Sequence, residues 1–144
     1  MSTLEKMRNQ SILVLGFGRE GRSTLEFLRK RFPQAVIGIA DQDTIKLGAL
    51  DTRSSSGPNY LDSINDYDVV VKTPGISPHQ PQIEQAKKSG KLITSQTQIF
   101  LEQTRDKVIG VTGTKGKSTT SSLIYHVLQY NAVPVRLLGN IGKP

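Results

Sequence analysis

Ser11-Ile12-Leu13-Val14-Leu15-Gly16-Phe17-Gly18-Arg19-Glu20-Gly21 decides the fold. The run Ser11 to Leu15 lacks polar alternation, as a parallel strand buried on both faces requires. The next six residues fit G-x-G-x-x-G in full. Arg22 to Arg31 then has helical spacing, with Leu25, Phe27, Leu28 and Phe32 as its apolar members, and Pro33 ends it. Ala35 to Ala40 reads as a second strand with Asp41 at its end. Strand, glycine loop, helix and strand in that order predict a β-α-β unit holding a nucleotide-type phosphate group. The first glycine makes the turn, the second admits the pyrophosphate, and the third lets helix and strand pack closely. Asp41 stands where an acid can meet a ribose; a solvated loop acid or a cap is the competing reading.

A second phosphate signal lies at Val108-Ile109-Gly110-Val111-Thr112-Gly113-Thr114-Lys115-Gly116-Lys117-Ser118-Thr119. A β-branched run leads into glycines, a lysine and hydroxyls, then a helical pattern. Gly113 and Gly116 allow the backbone to aim N–H groups at an anion. The helix start adds unpaired donors and partial positive charge. Lys117 would reach the β/γ-phosphates of ATP, and the Ser118 hydroxyl would ligate Mg²⁺. Val111 stands where the general G-x-x-x-x-G-K-[ST] pattern has its first glycine. The competing reading is a glycine-rich turn that happens to carry a lysine.

Between the motifs, Gln42 to Asn65 is less regular, and Ser54-Ser55-Ser56-Gly57-Pro58-Asn59 reads as a loop. Tyr67 to Lys72 is a strand running into Thr73-Pro74-Gly75-Ile76-Ser77-Pro78, a rigid turn at the edge where open α/β sheets bind ligands. Pro81 begins a helix through Lys88, capped by Gly90. Leu92 to Thr94 is a strand. Gln96 to Gln103 is a helix with Ile99 and Phe100 inward and Leu101 a further candidate. The polar Thr104-Arg105-Asp106-Lys107 marks a boundary, giving domains 1–104 and 105–144. Val108 to Val111 would open a second sheet, Ser118 to Tyr130 its helix, and Val133 to Leu138 another strand. His79 and His126 read as surface or packed side chains rather than catalytic ones.

The 144 residues suit one domain, or one domain with part of another. There is no cysteine, hence no disulfide framework or thiolate metal site. Met1 to Gln10 is polar, without the apolar core of a signal peptide, and no apolar run reaches the ~18 residues of a membrane span. A cytoplasmic protein with no membrane insertion is expected. The net charge is +7, but the basic residues are scattered and only 6% of residues are aromatic. Anionic small-molecule sites account for that balance without nucleic acid.

Together with Thr73-Pro74-Gly75-Ile76 and Gly139-Asn140-Ile141-Gly142, the two motifs resemble the Mur ligase family of bacterial peptidoglycan synthesis, from Ile12 to Pro144. Gly113-Thr114-Lys115-Gly116-Lys117-Ser118-Thr119 is the most specific piece, although the family usually has asparagine in place of Lys115. The resemblance implies a Rossmann-like parallel-sheet domain for a UDP-sugar, followed by the first β-α-β of a P-loop ATPase domain. It implies that Gly16, Phe17, Gly18, Arg19, Glu20 and Gly21 hold the UDP pyrophosphate, with Asp41, Gln42, Gly75 and Asn140 near the uridine or sugar. Gln42 and Asp43 stand where the family often has threonine and arginine, so Asp43 reverses a charge beside the uracil.

The same resemblance makes Gly113, Thr114, Lys115, Gly116, Lys117, Ser118 and Thr119 the ATP site, Lys117 catalytic, and Ser118 the Mg²⁺ ligand. It implies ATP-dependent amide-bond formation through an acyl phosphate, serving the cell wall and thereby cell shape and division. T-P-G-I with G-N-I-G tilts toward the member that joins D-glutamate to UDP-N-acetylmuramoyl-L-alanine. The family's later regions have no counterpart here, so an N-terminal fragment without turnover of its own is expected. The alternatives are another Mur or folylpolyglutamate-type ligase, a nicotinamide-dependent dehydrogenase module, and a nucleotide-binding module without chemistry.

Overall fold

A computed structural model describes residues 1–46, 52–104 and 107–139. The chain divides into two compact units, Met1–Arg105 and Asp106–Pro144.

The first unit is built on a five-stranded, fully parallel sheet. In chain order its elements are α1 (Thr3–Lys6), β1 (Ile12–Leu15), α2 (Arg19–Arg31), β2 (Ile37–Asp41), β3 (Arg53–Ser56), a 3-10 helix (Tyr60–Asp66), β4 (Val69–Lys72), α3 (Pro81–Lys88), β5 (Leu92–Ser95) and α4 (Gln96–Thr104). The strands lie in the order β3-β2-β1-β4-β5. Strand order reverses between β1 and β4, where Leu15 faces Lys72 in register. That reversal leaves a crevice beyond the carboxyl ends of β1 and β4.

Side chains alternate between two cores. Ile12, Val14, Ile39, Val69 and Val71 meet Leu25 and Leu28 of α2, Ile99 of α4, and Leu4 and Met7 near the N-terminus. Leu13, Leu15, Ala40 and Val70 meet Leu61 and Ile64 of the 3-10 helix, Tyr67 just after it, and Ile83 and Ala86 of α3. β1 is buried at every position, as its unbroken apolar run requires.

Several expectations shift. α2 starts at Arg19, not Arg22, because the last residues of the glycine motif already form the first helical turn. The Ser54–Asn59 cluster is not wholly loop. Arg53–Ser56 pairs in parallel with Gly38–Asp41 as an edge strand, and pairing with β2 outweighs weak propensity there. Phe100 and Leu101 are 40% and 44% exposed, so only Ile99 of α4 is buried. The polar N-terminus contains α1, closed by a reciprocal capping box between Ser2 and Glu5. Thr3 ties it to α4 by donating N–H and Oγ–H to the Glu102 carboxylate at 2.8 and 2.7 Å.

α3 ends as expected. Gly90, at φ +84°, follows the Ser89 cap. The Lys91 N–H reaches the Ala86 carbonyl at 3.0 Å and the Gly90 N–H reaches Lys87 at 3.1 Å.

In the second unit, α5 (Lys117–Tyr130) is helical. The two strands expected there, Val108 to Val111 and Val133 to Leu138, form no ladder; only Leu138 takes part in a single bridge. An extended β-branched run becomes a strand when a neighbouring strand satisfies its N–H and C=O groups in a ladder, and among the described residues no ladder forms with either run. No residue of α5 is buried.

Candidate functional site

The loop after β1 is held by its neighbours on both sides. The Gly16 N–H donates to the Ala40 carbonyl at 2.7 Å, so β1 turns away beside β2. Gly16 sits at φ +93°, and any Cβ there would fall on the Thr73 hydroxyl. Gly21 faces the same loop from α2, where a Cβ would fall on the Gly16 carbonyl oxygen. Both glycines are therefore demanded by close approach. Gly18 has open space around it, which leaves room for a ligand against the backbone.

α2 begins on Gly18 without a side-chain cap. The first-turn amides of Arg19, Glu20 and Gly21 thus lack the acceptor that a Ser or Asp cap would supply. Uncapped donors beside the positive end of a 13-residue helix form an anion cradle. Phe17 enters this site through its backbone, since its ring is buried. The Arg22 guanidinium lies over that ring, 4.8 Å from its centroid.

Asp41 ends β2 beside the loop. Its Oδ2 accepts the Phe17 N–H at 2.5 Å, and its Oδ1 accepts the Asp43 N–H at 2.9 Å. Asp41 therefore binds the protein's own backbone in this structure. Gln42 and Asp43 are exposed next to it. Tyr60 lies on the same side; partial burial, and secondarily the Asp41 charge, push its phenol pKa up.

The turn after β4 forms the opposite wall. The Thr73 N–H donates to the Leu15 carbonyl at 2.9 Å, and the Ile76 N–H to the Thr73 carbonyl at 3.2 Å. Gly75 is exposed within that turn. The half-buried Lys72 donates through Nζ to the Ile76 carbonyl at 3.0 Å and the Thr73 carbonyl at 3.4 Å. Sequence reasoning did not single out Lys72. The available signal was a lysine closing an otherwise apolar strand just before Thr73-Pro74-Gly75.

The Gly16 loop, Asp41, Gln42 and the Gly75 turn thus all come from the carboxyl edge of one sheet. Asn140 lies outside the described residues. His79 is exposed and pairs with Glu84 at 3.5 Å, as a surface residue would. His126 is exposed and meets Tyr125 edge-on.

In the second unit, Gly116 takes φ +75° as the start of α5, and again no side chain caps the helix. Gly113 is at φ +151°. The Lys117 ammonium folds back over the loop and donates to the Gly113 carbonyl at 2.5 Å. Thr114, Lys115, Ser118 and Thr119 are exposed around it. Such a curl presents backbone donors, an ammonium and hydroxyls at one helix start.

A doubly wound parallel sheet with an uncapped glycine loop at its switch point defines an α/β domain of the Rossmann-like class. Residues 10–95 match the family described as the Mur ligase MurD-like, N-terminal domain. The chain belongs to that family. It is similar to the UDP-N-acetylmuramoylalanine–D-glutamate ligase of Clostridium botulinum, 33% identical over 145 residues, covering 96% of this chain and 31% of the relative. The enzyme of the same name from Acetivibrio thermocellus is 32% identical over 147 residues, with 97% and 31% coverage. Among solved structures, the UDP-N-acetylmuramate–alanine ligase MurC of Thermotoga maritima superposes with a TM-score of 0.51 at 25% identity, over 85% of this chain and 30% of that one. The chain thus spans about a third of the length of the relatives it matches.

Proposed function

We propose that this chain supplies the UDP-sugar site and the ATP loop of a ligase that joins D-glutamate to UDP-N-acetylmuramoyl-L-alanine. Residues 1–104 form the sugar-nucleotide domain and residues 105–144 open the ATPase domain. The observation that carries the reading is the uncapped start of α2 at the sheet's switch point, in a chain of MurD-like family.

The pyrophosphate lies against Gly18, Arg19 and Glu20, through backbone N–H groups rather than side chains. Gln42 and the Gly75 turn flank the uridine and sugar, and Asn140 serves the sugar nucleotide. ATP lies along Gly113 to Thr119, with Lys117 on the transferring phosphoryl group and Ser118 as a ligand of the accompanying Mg²⁺. The loop fits that role, because its lysine already rests on a loop carbonyl that a phosphate can replace.

The substrate carboxylate attacks the γ-phosphorus and ADP leaves, giving an acyl phosphate. The D-glutamate amine then attacks the acyl carbon, losing a proton as inorganic phosphate departs. Lys117 and the loop amides offset charge on the transferring group. One such preorganised donor typically lowers a barrier by about 3 kcal/mol.

A nicotinamide module is the other reading of G-x-G-x-x-G with an acid. Asp41 accepts the Phe17 and Asp43 N–H groups here, and the family match of residues 10–95 favours the sugar nucleotide over NAD. Calorimetric titration of the chain with UDP-N-acetylmuramoyl-L-alanine and with NAD tests the choice. Binding of the sugar nucleotide alone is expected; preferential binding of NAD would overturn the proposal.

A further inference from the structure

We propose that Lys72 is a positioning residue for the anionic sugar nucleotide. Its ammonium fastens the turn that walls the crevice, and its charge draws the anion in. The proposal rests on the reading of the crevice as a UDP-sugar site.

Two observations carry it. The first is mechanical. Lys72 Nζ reaches the carbonyls of both Thr73 and Ile76, at 3.4 and 3.0 Å, and so bridges the two ends of the turn. That turn touches the phosphate loop directly, because the Thr73 side chain occupies the space a Cβ on Gly16 would need, and the Thr73 N–H is tied to Leu15. One side chain thus governs the spacing between the two loops that face the crevice.

The second is electrostatic. Lys72 is half buried at the end of β4. Among the described residues no carboxylate lies within 4.0 Å of its ammonium. Carbonyl dipoles stabilise the ammonium but leave its full charge uncompensated. A cation drawn partly out of water without a counter-ion is costly to keep. At the carboxyl end of β4, which borders the crevice, it gains that counter-ion when a diphosphate binds there.

The test uses the 144-residue chain with UDP as the probe, by calorimetry at low and at moderate salt. Lys72→Met keeps the stem and removes the charge. It should weaken UDP binding about tenfold and flatten the salt dependence. Lys72→Arg should stay within about threefold of the parent chain, since a guanidinium supplies the same donors. Should Lys72→Met fail to fold, Lys72→Gln carries the same comparison. Unchanged UDP affinity in the neutral variant would overturn the proposal. So would equal losses in the Met and Arg variants accompanied by equal drops in Tm, which mark a packing role only. If the parent chain itself fails to bind UDP, the reading of the crevice fails first, and that outcome is visible before any variant is made.

Discussion

The Phe17 N–H donates to the Asp41 carboxylate at 2.5 Å, joining the loop after β1 to the end of β2. With its second oxygen on the Asp43 N–H, this one side chain fixes two adjacent loops at the ligand edge. Asp41→Ala leaves two backbone donors without their acceptor. Denaturant unfolding should show a loss of about 1–3 kcal/mol, and UDP affinity should fall as the loop loosens. An Asp41→Ala chain as stable as the parent would mean that these bonds only accompany the fold.

Gly21 and Gly18 separate packing from binding. A Cβ on Gly21 meets the Gly16 carbonyl oxygen, so Gly21→Ala must push α2 off the sheet. It should lower stability by about 1–3 kcal/mol and abolish UDP binding. Gly18 has an extended backbone at φ −71° and open space around it. Gly18→Ala should therefore leave Tm nearly unchanged while weakening UDP, because the added methyl would meet the pyrophosphate of the proposed site. Equal effects of the two substitutions on Tm and affinity would contradict the assigned roles.

The difference between these glycines also marks what the sequence could say. The loop after β1, α2 and β2 form a local unit, and their motif carries its own geometry. β3 was hidden because Arg53-Ser54-Ser55-Ser56 has neither apolar alternation nor β-branched residues; its strand form comes from pairing with β2. α1 was hidden because four residues make a helix only through the Ser2–Glu5 cap and the burial of Leu4. Val108 to Val111 shows the reverse failure, since β-branched residues raise strand propensity without providing a partner. At the site, the glycines and Lys117 were legible as a motif. The backbone role of Phe17 and the clamp by Lys72 were not, because both depend on residues brought together by the sheet.

Acid should loosen the N-terminal segment first. The Asp68 carboxylate accepts the Ser11 hydroxyl at 2.6 Å and the Ser11 N–H at 2.9 Å, and these bonds, the hydroxyl foremost, hold its pKa below the ordinary carboxylate range. Glu102 is lowered likewise, by the Thr3 hydroxyl first and then the Thr3 N–H. A carboxyl whose folded pKa is depressed contributes stability in full above its unfolded pKa, near pH 4, and loses it as pH falls through the folded value. Denaturation midpoints followed from about pH 7 to about pH 3 should therefore fall, and less so in Asp68→Asn. An Asp68→Asn profile that parallels the parent throughout would exclude this tie.

Lys117→Ala removes the ammonium that rests on Gly113 in the second unit. MgATP affinity should drop at least about tenfold, while UDP affinity stays within about twofold. Parallel losses of both nucleotides would show that the two loops do not serve separate ligands.

That separation is tested most directly by amide chemical shifts of the labelled chain. Addition of UDP-N-acetylmuramoyl-L-alanine should move the signals of Gly16 to Gly21 and Gly75, and MgATP those of Gly113 to Thr119, with little overlap. A sugar nucleotide that shifts Gly113 to Thr119 and leaves Gly16 to Gly21 unmoved would contradict the assignment.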